Sequence, residues 1–127
     1  MSDADTITTA GNERTYTAWM HASVLALSVT GGLAIIMPIV MWQSRRGQSA
    51  FIDDHGREAV NFHISLIVYS VLASILFPFT CGLSAFAAVG VVILGIVGSI
   101  RGIEAGRSGR WYRYPMCMRL LQAPYAV

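Results

Sequence analysis

The sequence predicts an all-α integral membrane protein: a bundle of three transmembrane helices with a cytoplasmic amphipathic C-terminal tail. Three observations predict it. The chain of 127 residues is 54% hydrophobic and only 13% charged, with mean hydropathy +0.55, where a soluble domain carries about 25% charged residues. Residues 15–44 contain no Asp, Glu, Lys or Arg, and neither do residues 59–100. All nine basic residues are arginines; Arg14 precedes the first apolar run, and the other eight cluster between the runs and after them. A helix rises about 1.5 Å per residue, so roughly 20 apolar residues cross a 30 Å hydrocarbon layer. The second run is long enough to cross twice.

Three regions follow from the pattern: a flexible polar N-terminus over 1–14, a membrane domain over 15–122, and a short end over 123–127. The first span is expected at about 18–42, bracketed by Trp19 and Trp42 at interfacial depth, with Pro38 as a kink near its end. Its leader holds Asp3, Asp5 and Glu13 against Arg14, too acidic for a secretory signal. The long run divides at "FPFTCG", residues 77–82, where Pro78 and Gly82 mark a turn. The second and third spans are therefore expected at 60–77 and 83–100. With three crossings, eight of the nine arginines share one face, which the positive-inside rule makes cytoplasmic. The N-terminus would then be outside and the C-terminus inside, in a bacterial inner membrane. Cys81 and Cys117 fall on opposite sides, and nothing in their spacing resembles a metal site or a disulfide framework.

The densest polar stretch, "FIDDHGREAVNFHIS" at 51–65, opens the second span. Asp53 and Asp54 suit a helix N-cap and first turn. Glu58, Asn61, Ser65 and Tyr69 follow at i, i+3, i+7 and i+11, one helical face. A polar stripe entering hydrocarbon must face protein or water. It reads either as glue between helices or as a groove for a polar ligand. His21 and His63 read as interfacial or hydrogen-bonded residues. With the first span continuous, His21 lies across the membrane from His63, at a different depth, which argues against paired histidine ligands; His55 falls in the loop. No cofactor or metal is expected.

On the third span Ser84, Ala88, Gly95, Ser99 and Gly102 form a small-residue seam, with Gly98 and Gly102 making a GxxxG. Small residues let membrane helices approach closely. Arg101, Glu104 and Arg107 carry the helix on into water, and Ser108 and Gly109 would stop it. In "GRWYRYPMCMRLL", residues 109–121, Trp111, Tyr112 and Tyr114 alternate with Arg110 and Arg113, an aromatic and cationic belt for a headgroup layer. Pro115 then redirects the chain. An anionic lipid surface explains this belt more simply than nucleic acid does.

"DDHGREAVNFHIS" followed after a helical hairpin by "WYRYP" resembles small bacterial membrane proteins of unknown function related to the chloroplast inner-envelope import subunit. The resemblance covers roughly residues 15–122. It carries over onto His55, Gly56, Glu58, Ala59, Asn61 and Phe62 in the first motif, and onto Trp111, Tyr114 and Pro115 in the second. It implies a membrane helical body, no established activity for many members, and for the plastid relative a place in a protein-conducting complex.

Independently of that resemblance, both motifs lie on one face. Glu58 and Asn61, with neighbours His55, Gly56, Arg57, Phe62 and Ser65, are expected to dock the tail through Trp111, Arg113 or Tyr114. No nucleophile–base pair or phosphate-binding loop is recognisable, so no catalysis is expected. The reading is a structural or accessory subunit whose partners are the bilayer and other membrane subunits or copies of itself. The alternative is an oligomeric conduit, since three spans in one copy enclose no useful pore.

Overall fold

The computed structural model describes residues 11–26 and 31–122. Most of the expected N-terminal region and all of 123–127 lie outside the described residues. Four α-helices follow in order: α1 (Gly11–Leu25), α2 (Ile36–Arg45), α3 (Ala50–Leu76) and α4 (Ser84–Ser108), with a 3₁₀ turn at Gly31–Ile35 leading into α2. Among the described residues, α3 and α4 are the helices long and apolar enough to cross a bilayer.

The expected continuous first span is not formed. Tyr16 of α1 donates its hydroxyl to the Met41 carbonyl of α2 at 2.6 Å and lies 2.9 Å from the Ser44 hydroxyl. On one continuous helix, residues 16 and 41 would stand about 37 Å apart. The Ser49 hydroxyl also reaches Glu13 at 3.4 Å, and the Arg45 guanidinium lies over the Tyr16 ring at 4.3 Å. α1 and α2 are therefore antiparallel, and α1 begins and α2 ends beside the N-terminus of α3. The physical reason lies in the polar residues of α1. Thr17 and His21 are fully buried, and on a lone crossing His21 would be an unpaired polar group in hydrocarbon. Folding back brings it against protein. The expected opposite placement of the N-terminus falls with the third crossing.

α3 begins ten residues before the expected boundary. Its N-cap is Ser49, in extended backbone, with its hydroxyl accepting the Ile52 N–H. Asp53 and Asp54 are thus inside the helix and free for other work. The α3–α4 turn falls where Pro78 and Gly82 mark it, and Gly82 adopts φ 88°. α4 runs on past the apolar stretch and stops at Gly109, whose left-handed conformation caps Ala105 and Gly106.

Burial divides the molecule lengthwise. Residues 51–63 of α3 are all buried, whereas Val71, Leu72, Ile75 and Leu76 at its far end are about half exposed. α4 mirrors this, with Phe86, Val89 and Ile93 exposed and Gly98, Ser99 and Gly102 buried. One end is a packed head of four helices and tail; the other is a two-helix hairpin with an apolar exterior. The head core joins Val24, Phe62, Leu66 and Tyr114 in one cluster, and Met20, Trp42, Ile52 and Val60 in another.

The small-residue seam faces this core. Gly95 lies against Leu66, Gly98 under Phe62 and Tyr114, and Gly102 under His21 and Tyr114, where an added Cβ would stand 2.7 Å from His21 Nδ1. Ser99 turns its hydroxyl back to the Gly95 carbonyl, and Ser84 donates to the Ala73 carbonyl of α3 at 2.9 Å. Ala88 is the exception: it is exposed.

Candidate functional site

The polar stripe of α3 receives the chain's own C-terminal segment, residues 110–121, as a strap. Its contacts are mostly to backbone. Glu58 accepts the Tyr114 N–H at 3.3 Å and the Arg119 Nε at 3.2 Å. Asn61 pairs with Leu121 as one strand pairs with another, its amide donating to the carbonyl and accepting the N–H, both at 2.9 Å. Ser65 accepts the Met118 N–H at 2.8 Å and donates to the Asn61 carbonyl. Tyr69 donates to the Met116 carbonyl at 2.6 Å. The strap thus descends α3 to Tyr69, turns at Pro115 and Met116, the latter at φ 52°, and climbs back to Asn61.

Charge fixes its register. Arg113 forks onto Asp54 with bonds of 2.6 and 2.9 Å, a bidentate pair in which the carboxylate is almost fully buried. That bond holds Arg113 firmly in its charged form. Removing Arg113 would leave the buried Asp54 carboxylate uncompensated, which costs about 3–5 kcal/mol. Asp53 instead accepts the Gly47 N–H at 3.1 Å and the Trp42 indole at 3.3 Å, and pairs loosely with Arg57 at 4.0 Å.

Behind the strap, three elements meet in a chain of hydrogen bonds with one consistent set of protons. His55 Nε2 lies 3.0 Å from the Arg110 carbonyl, which can only accept, so this nitrogen carries the hydrogen. His55 Nδ1 must then accept, and His21 Nε2, 2.6 Å away, donates to it. His21 Nδ1 in turn accepts from the Tyr114 hydroxyl at 2.5 Å. Every member is neutral and satisfied. The Tyr114 ring stacks on Phe62 with centroids 3.9 Å apart, and burial pushes its phenol well above the usual 10.0, with Tyr112 and Glu58 adding to the effect.

Among the motif residues, His55, Glu58, Asn61, Phe62, Ser65, Arg113 and Tyr114 therefore converge directly. Gly56 contributes by having no side chain, with Trp42 and Met20 filling its space. Trp111 meets the Phe51 ring at 5.8 Å. Arg57 lies toward Trp42 and Asp53, away from the strap, and Pro115 is exposed at the turn. His63 bonds its own turn at Ala59. His21, placed across the membrane by the three-span reading, is at the centre of the head. Asp54 and Arg119 also belong to the site; the Asp54–Arg113 pairing left a signal in charge sign but none in spacing. Among the described residues no three His, Cys, Asp or Glu side chains gather as metal ligands would.

A hairpin of two helices long and apolar enough to cross a bilayer, with a strapped polar head, defines a small helical membrane protein. Residues 12–121 match the magnetosome magnetite crystal formation protein family, MamF/MmsF, and the chain belongs to that family. No curated protein and no solved structure matches. The match overturns the resemblance to relatives of the chloroplast import subunit, and the protein-conducting role implied by it goes too. The two motifs behind that resemblance are the two halves of the strap contact. The family's description points to the magnetosome membrane as the membrane concerned.

Proposed function

We propose that the protein serves magnetite crystal formation as a structural or accessory subunit of the magnetosome membrane, holding lipid and neighbouring subunits in place and performing no chemistry of its own. One observation supports this reading above others: the head's carboxylates are engaged within the fold. Asp53, Asp54 and Glu58 are tied to arginines or backbone N–H groups, and Glu104 pairs with Arg110 at 3.5 Å. What remains open to contact across the membrane is the apolar exterior of the α3–α4 hairpin. Side chains that fix a strap give rigidity, and a rigid head on a lipid-facing hairpin suits assembly.

The arginines support an orientation. With α1 and α2 folded back, all nine sit in segments at the head end, so the positive-inside rule turns the head to the cytosol. The turn at 77–83, which has no charged residue, then faces the compartment in which the crystal grows. Gentle detergent extraction of magnetosome membranes, with mass determination of the intact species, tests the proposal. A discrete assembly with other polypeptides or further copies is expected. A lone monomer under conditions that preserve other membrane complexes would overturn it.

A further inference from the structure

A groove of about 620 Å³ runs between the far halves of α3 and α4, lined by Tyr69, Leu72 and Leu76 on one side and Ala87, Leu94 and Val97 on the other, with Met116 of the strap at its head end. Two observations bear on what fills it. The first is length. On α4 the lining runs from Ser84 to Val97, about 20 Å along the helix, a long slender channel within a roughly 30 Å hydrocarbon core.

The second is charge. Residues 87, 90, 94, 97 and 101 share one stripe of α4, so Arg101 stands one turn beyond the groove's head end. It is exposed and has no ion-pair partner among the described residues, whereas Arg113 and Arg119 are held by Asp54 and Glu58.

We infer that the groove is a binding site for an anionic phospholipid of the head-side leaflet, with one acyl chain between α3 and α4 and the phosphate at Arg101. This goes beyond the accessory role proposed above and stands without it. A groove left empty would forfeit dispersion contacts along both walls. An acyl chain is slender enough to enter, and it arrives with a phosphate at the interfacial level where Arg101 waits.

Native mass spectrometry of the purified full chain, in micelles doped with dioleoyl phosphatidylglycerol or dioleoyl phosphatidylcholine, tests the site. The wild type should retain one phosphatidylglycerol in preference to phosphatidylcholine. Arg101→Gln should reduce that preference about fivefold, the effect of about 1 kcal/mol for one cation at a lipid surface. Gly90→Phe should abolish retention of both lipids. An added Cβ at Gly90 meets nothing within 4 Å, so this variant fills the groove without disturbing the fold, and an unchanged melting temperature checks that. Wild type that holds no lipid, or equal retention by all three proteins, would overturn the inference. So would a dimer that carries no lipid and is split by Gly90→Phe, since a second copy would then be the occupant.

Discussion

Tyr114 touches more of the head than any neighbour in the strap: its backbone N–H goes to Glu58, its hydroxyl to His21, and its ring to Phe62. Tyr114→Phe keeps the stack and removes one donor, leaving His21 Nδ1 buried without a partner. A loss of about 1–3 kcal/mol is expected, read as a lowered unfolding midpoint in detergent. The pH dependence has a definite sign. Above about pH 10 an unfolded tyrosine releases its proton while the buried Tyr114 keeps its own, its folded value lying well above 10.0. The unfolded state then binds fewer protons, so stability falls as pH climbs from there, and below it this residue contributes no slope. The variant should show a shallower alkaline decline than the wild type. Unaltered slopes would show that the phenol is not shielded as described. Part of this site is legible in the sequence. The spacing of Glu58, Asn61, Ser65 and Tyr69 gives the face, and the need to satisfy it in hydrocarbon gives a partner. Which partner is not legible, because Leu121, Met118 and Met116 meet the stripe through main-chain atoms that every residue type possesses.

The elements differ in how openly they declare themselves. Two long apolar helices and the turn at 77–83 follow from length, charge gaps and a Pro/Gly pair. The first apolar run does not resolve in the same way, since a length criterion counts apolar residues and is blind to a reversal within them. The run at 18–42 is as long and apolar as one crossing. What distinguishes them is that Tyr16, Thr17 and His21 need polar partners at head depth, a tertiary fact. The start of α3 was misplaced for a related reason: the aspartates resemble caps locally, yet Asp54 is claimed by Arg113, 59 residues away. Close packing of the re-entrant pair on α3 yields a test. At Gly56 an added Cβ would lie 2.5 Å from the Trp42 ring and 2.8 Å from Met20 Cε. Gly56→Ala should therefore destabilise the head by about 1–3 kcal/mol through overpacking, with increased quenching of tryptophan emission as Trp42 is displaced. No change in either readout would mean that α2 is not seated on α3.

At the scale of the whole molecule the fold-back makes a topological claim. Asn12 and Gln48, both exposed, belong to one side of the membrane, and Cys81 belongs to the other. In a Cys117→Ser background, single cysteines at Asn12→Cys and Gln48→Cys should react with an impermeant maleimide from the same side, and native Cys81 from the opposite side. A chain crossing three times would give Asn12 the side of Cys81, so that pattern would refute the hairpin. The same division of the molecule has a mechanical side. Four helices and a strap pack together at one end of the molecule, and two helices alone form the other. The protein is a wedge, broad at its polar head and narrow at its apolar turn.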